Sequence, residues 1–207
     1  MGLSWIPANL VLFAVLTVIG YAIFDRRWRH LWAQLGFTRP EGVSLALAAA
    51  VGIVLSVAGI APLLWMGELP GDGISFAHED FAGLPFGPAT MLAAFAWALL
   101  HQGLPEELFF RGLLLGQLAR RLSAATAIVV QGGIFWAVHV PGYVFLWQST
   151  QEATHRLLVA MVAVVTLGLS FVLGWLRMRD ANRSLLPPIV AHTLANGITF
   201  TTAMLAG

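Results

Sequence analysis

The sequence has no cysteine and no lysine, and only 10% of its 207 residues are charged. Without cysteine there is no disulfide, no thiolate chemistry and no Cys-based metal site, and cysteine usage leaves the redox compartment open. Without lysine, all eleven basic residues are arginine, and a net charge of +1 gives no argument for a nucleic-acid partner. A soluble domain usually devotes about a quarter of its residues to charge. This chain devotes far less, while 58% of it is hydrophobic and its mean hydropathy is +0.81. These values identify an integral, multi-pass membrane protein surrounded by lipid. No internal repeat, low-complexity tract or second domain is visible, so residues 1–207 read as one all-α membrane domain. The N-terminal segment lacks a basic leader region and runs straight into charged residues, which reads as a retained span.

A helix needs about 20 apolar residues to cross the hydrocarbon core. About six segments qualify, roughly Ala8–Phe24, Val43–Met66, Pro88–Leu118, Ala124–Trp147, Leu157–Leu176 and Pro188–Leu205. The third is about 45 Å long at 1.5 Å per residue, so it is expected to tilt, to kink near Gly103 and Pro105, or to protrude. Arg26, Arg27, Arg29 and Arg39 follow the first segment, Arg120 and Arg121 the third, and Arg177, Arg179 and Arg183 the fifth. The loop after the second segment carries Glu68, Asp72, Glu79 and Asp80 without arginine, and the loop after the fourth carries Glu152 and Arg156. The positive-inside rule then places the Arg-rich loops in the cytoplasm and both termini outside.

Two stretches outside the spans have patterns of their own. Trp28, Leu31, Trp32 and Leu35 recur at helical spacing beside arginines, as in a short helix lying in the membrane interface or a plain positive-inside anchor. The Gly-, Pro- and acid-rich stretch 67–88 reads as an irregular cap over the spans.

Within the spans, "LPEELFFRGLL" sets Glu106, Glu107 and Arg111 in an otherwise apolar run. A charged side chain at mid-bilayer costs at least about 2.5–3.5 kcal/mol, so such residues usually face a bundle interior and serve function. Glu107 and Arg111 have the spacing and order of a helical ion pair. Glu106 lies about 100° round the helix from Glu107 and is the carboxylate left free. His139 ends "FWAVH" in the fourth segment, and His192 and Asn196 share one face of "HTLAN" in the sixth. Each alone can serve as an interhelical hydrogen-bonding group, as can His101 and Gln131. Gly112 and Gly116 form a GxxxG step suited to close packing.

The three motifs "EELFFR", "FWAVH" and "HTLAN", in this order and each on a predicted span, resemble those of the CPBP family of intramembrane proteases. That family comprises type II CAAX prenyl endopeptidases and bacterial relatives linked to bacteriocin processing and self-immunity. The resemblance runs from about Pro88 to the C-terminus. It implies that Glu106, helped by His139, activates a water, that His192 and Asn196 stabilise an oxyanion, and that Glu107 and Arg111 hold the helix. These roles agree with the chemistry, since a carboxylate withdrawn from water is a competent base near neutral pH.

Both metal-dependent and glutamate-dependent action have been described for the family. Glu106, His139 and His192 would also make a zinc-type ligand set with an open position, whereas an Asn beside His192 suits oxyanion donation better. The expected substrate is a membrane-anchored peptide or protein precursor, and the expected site a bacterial inner membrane. A non-proteolytic immunity or scaffold protein and a proton-coupled transporter are the competing classes. The sequence shows none of the matching repeats and broken helices that transporter folds carry.

Overall fold

The computed structural model describes residues 5–24, 30–65, 81 and 84–204, and the regular structure among them is all helical. Helix α1 is Trp5–Phe24, α2 is Leu31–Leu35 and α3 is Gly42–Trp65. Helix α4 is a continuous rod over 88–118. Helix α5 is Ala124–Ser149, α6 is Ala153–Arg179 and α7 is Leu186–Ala203. The six longer helices coincide with the six apolar segments. By length and composition, Gly42–Ala61, Ala124–Ser149 and Ala153–Arg179 are long and apolar enough to cross a membrane, and Leu10–Phe24 is a shorter apolar helix. Val11, Val43, Val54, Leu92, Val129 and Val164 all turn outward and are more than half exposed. That much outward apolar surface suits lipid rather than water.

Local sequence sets where the helices begin. Ser123 accepts a hydrogen bond from the Thr126 amide at 3.2 Å and caps α5. Prolines open both α4 (Pro88) and α7 (Pro187, Pro188), where their missing N–H costs no helical bond. Helix α4 does not break at Gly103 and Pro105. Its turn widens instead, with π-helical stretches Ala98–Gly103 and Glu107–Leu115 on either side of the α-helical Leu104–Glu106. Pro105 cannot donate to the preceding turn, and the wider turns on either side accommodate that loss within one helical run. Stretches of this kind cluster at functional sites.

The packing centres on α4, which touches α1, α2, α5, α6 and α7. Helices α3 and α7 pair along their lengths, as do α5 and α6. Small residues Ala48, Ala191 and Ala195 share one buried cluster with Phe110, Phe135, Leu169, Leu173 and Leu176. Phe81 is a second anchor, stacking on Phe200 at 5.7 Å and meeting Trp97 edge-on at 6.2 Å. Residues 67–80 of the acidic cap, including Glu68, Asp72, Glu79 and Asp80, lie outside the described residues, as do Arg26, Arg27, Trp28 and Arg29.

Three expectations change in the folded chain. The apolar face of α2 divides, because Leu35 is buried with Tyr21 and Leu113 while Trp32 is exposed against Phe37. Gly36 ends the helix at φ 95°, a conformation that disfavours any side chain. Arg177 is not a loop arginine. It is buried, donating from Nη1 to the Gly112 carbonyl at 2.9 Å, from Nη2 to Gln34 at 3.3 Å and from Nε to Arg183 at 3.4 Å. The GxxxG step of Gly112 and Gly116 therefore receives α2 and this guanidinium. Finally, the buried Gln131 amide has no hydrogen-bond partner among the described residues, so it does not join helices as expected.

Candidate active site

Helix α4 supplies Gln102, Glu106, Glu107 and Arg111, α5 supplies His139 and Tyr143, and α7 supplies His192 and Asn196. Gly103 lets α4 and α7 approach, since a Cβ there would fall 2.6 Å from Thr193 Oγ1. Arg111 Nη1 donates to Glu107 Oε1 at 2.8 Å, and both side chains are fully buried. The same oxygen accepts His192 Nδ1 at 2.8 Å. Arg111 Nη2 donates to the Ser170 carbonyl at 3.1 Å, and the guanidinium lies 4.3 Å from the Phe135 ring centroid. Glu107 Oε2 and Arg111 Nε are buried without a partner among the described residues.

The two histidines are held in the same tautomeric state by different acceptors. A carboxylate paired with arginine can only accept, so His192 carries hydrogen on Nδ1 and presents Nε2. His139 Nδ1 lies 2.8 Å from the Phe135 carbonyl, which also can only accept, and its Nε2 is likewise left for other chemistry. The His139 ring packs on Phe135 with centroids 4.6 Å apart.

Glu106 differs from its neighbour. Its side chain is half-buried rather than sealed, and it accepts no hydrogen bond from a described residue. It lies within electrostatic reach of His192, His139, Glu107 and Arg111. The adjacent carboxylates thus separate, one locked in an ion pair and one open between two histidines.

Sequence reasoning passed over two residues. Asn196 Nδ2 donates to Gln102 Oε1 at 2.6 Å, and Gln102 stands one turn before Glu106, a spacing that could have drawn notice. Tyr143 follows His139 by one turn, with rings 6.4 Å apart. It hydrogen-bonds Thr166 and lies within electrostatic reach of Glu106. His101 stacks on Trp97 with ring centroids 5.0 Å apart.

The zinc-type set of Glu106, His139 and His192 does not fit a metal as arranged. Among the described residues no three His, Cys, Asp or Glu side chains are grouped to hold an ion.

Residues 88–198, just over half of the chain, match the family described as type II CAAX prenyl endopeptidase Rce1-like. No curated protein and no solved structure matches the chain. The matched stretch opens at the first residue of α4 and closes within α7, so it takes in every polar side chain gathered between those helices. By that match the chain belongs to the Rce1-like family of CAAX-type membrane proteases.

Proposed function

We propose that the protein is an intramembrane endopeptidase hydrolysing a peptide bond in a membrane-associated peptide or protein. The observation that carries this reading is the division of the two carboxylates, Glu107 sealed against Arg111 and Glu106 open beside His139 and His192.

Glu106, assisted by His139, takes a proton from water as the water oxygen bonds to the scissile carbonyl carbon. The carbonyl π electrons move to oxygen. His192, on taking up a second proton at Nε2 while its Nδ1–H stays on the Glu107 carboxylate, donates from Nε2 to that oxyanion, and Asn196 donates from its amide. On collapse the carbonyl re-forms, the C–N bond breaks, and the proton passes to the departing amine. A positioned base contributes about 10²–10⁴ in rate, and each oxyanion donor about 10²–10³.

For a bacterial chain, a peptide or protein precursor is the better substrate than a prenylated protein, which needs a prenylating host. Comparative membrane proteomics of wild type against Glu106→Gln tests the whole reading. A precursor should accumulate in the variant while its expression and melting temperature stay near wild type. Unchanged membrane protein profiles would favour a non-proteolytic immunity or scaffold role instead.

The arginine distribution puts the Arg121 end of the bundle in the cytoplasm. A reporter fused after Gly207 should read as extracytoplasmic and one placed after Arg121 as cytoplasmic. The reverse pattern would move the substrate to the other compartment.

A further inference from the structure

We infer that Gln102 is a positioning residue for the oxyanion site, fixing which end of the Asn196 amide faces Glu106. The inference rests on the function proposed above and concerns a residue outside the three motifs.

Two hydrogen bonds cross from donors on α7 to acceptors on α4, and the two helices run antiparallel. Glu107 meets His192 at 2.8 Å, and Gln102 meets Asn196 at 2.6 Å. Glu106 stands between these two rungs in the α4 sequence, and Gly103 closes the helices at the same level. The lower rung is a charged anchor. The upper rung joins two neutral amides, and its chemical content is orientation.

An asparagine amide has an oxygen at one end and two N–H groups at the other. An oxyanion is stabilised by N–H and repelled by carbonyl oxygen. With Gln102 Oε1 occupying one N–H, the Asn196 nitrogen is turned toward α4, the helix that carries Glu106. Its second N–H stays available to a developing negative charge there. If Gln102 is replaced by an apolar residue, that preference is lost, and the amide can turn its oxygen toward the same place. Gln102 itself touches no reacting atom in this scheme, because its oxygen is spent on Asn196.

Kinetics on the full-length protein in proteoliposomes test this, with the precursor that accumulates in Glu106→Gln membranes, made as an internally quenched peptide, as the probe. Gln102→Met should lower kcat by about tenfold to a hundredfold, no more than loss of one oxyanion donor, and leave KM nearly unchanged. Gln102→Glu, which keeps an acceptor oxygen at that place, should retain most of the turnover. In an Asn196→Ala background, Gln102→Met should have no further effect on kcat. Full turnover in Gln102→Met, or losses that multiply in the double variant, would overturn the inference. Full turnover in Asn196→Ala would instead defeat the oxyanion reading itself, so the two failures are distinguishable. Gln102→Leu replaces Gln102→Met should the latter fold poorly. A thermal-melt cycle on the same variants needs no substrate: melting shifts that are not additive support the hydrogen bond, and additive shifts overturn it.

Discussion

Arg111 and Arg177 are both buried guanidiniums lodged against α4, yet their surroundings solve the problem of buried charge differently. Around Arg111 charge meets charge. Glu107 pairs with it at 2.8 Å and shares the same oxygen with His192. Around Arg177 the partners are backbone carbonyls of Gly112, Gln34 and Arg183. The nearby Asp180 carboxylate is likewise tied to backbone, accepting the amides of Glu41 at 3.0 Å, Asn182 at 3.0 Å and Ser184 at 3.2 Å. Among the described residues no ion pair joins Arg177 to Asp180. A carbonyl cage fills the donors of a guanidinium and locks α2, α4, α6 and the turn before α7 together. Among the described residues the charged pair leaves Glu107 Oε2 and Arg111 Nε without a partner and orients a histidine. One region is built to hold still, the other to keep polar groups poised beside a free carboxylate.

The contrast is broken most severely by removing one charge of the pair. Glu107→Gln strands Arg111 in the interior, a cost of about 3–5 kcal/mol for breaking a buried pair. It should also lower turnover per folded molecule, because His192 loses its anionic acceptor. Thermal melting in detergent together with kinetics checks both effects, and a melting temperature equal to wild type would dissolve the distinction between the two carboxylates.

Removing the caged cation strands no charge, so its effect should fall on stability alone. Arg177→Met leaves the carbonyls of Gly112, Gln34 and Arg183 without this donor, at about 1–3 kcal/mol for each that finds no other. Turnover normalised to folded protein should stay near wild type, since this cage touches none of the proposed reacting groups. A large loss of kcat with an unchanged melting temperature would mean that the Arg177 region serves the site directly.

The smallest effect is an acid dependence of the second region. Burial raises the Asp180 pKa, and hydrogen bonds from Ser44 and the Glu41, Ser184 and Asn182 amides lower it by more, leaving it below its ordinary 3.8. A depressed carboxylate stabilises the fold above its unfolded value, and that stability is lost as pH falls through the folded value. Melting temperature should therefore fall below about pH 4 more steeply in wild type than in Asp180→Asn. Identical acid limbs would show that Asp180 is not held as an anion.

Much of the Arg111 region was legible along the chain, and little of the Arg177 region was. The i, i+4 spacing of Glu107 and Arg111 names their pairing because helical geometry alone brings them together. The free Glu106 follows from the same geometry. Arg177 read as one more loop arginine, since only the fold decides that carbonyls from residues 34, 112 and 183 meet at one point. Gln102 escaped notice for a related reason. Its partner lies 94 residues away, and the pairing depends on the antiparallel register of α4 and α7. Trp32 and Leu35 share a helical face in sequence but part in the fold, where Leu35 is claimed by Tyr21 and Leu113.

The sequence by itself determined the solvent, the helices and the motif residues. These depend on transfer of apolar groups from water and on spacing within one helix, both properties of contiguous residues. Tertiary structure alone decided which oxygen His192 engages and which amide faces Asn196. Those outcomes depend on distances between separate helices. Such distances are set by small-residue contacts such as Gly103 against Thr193, and no local pattern contains them.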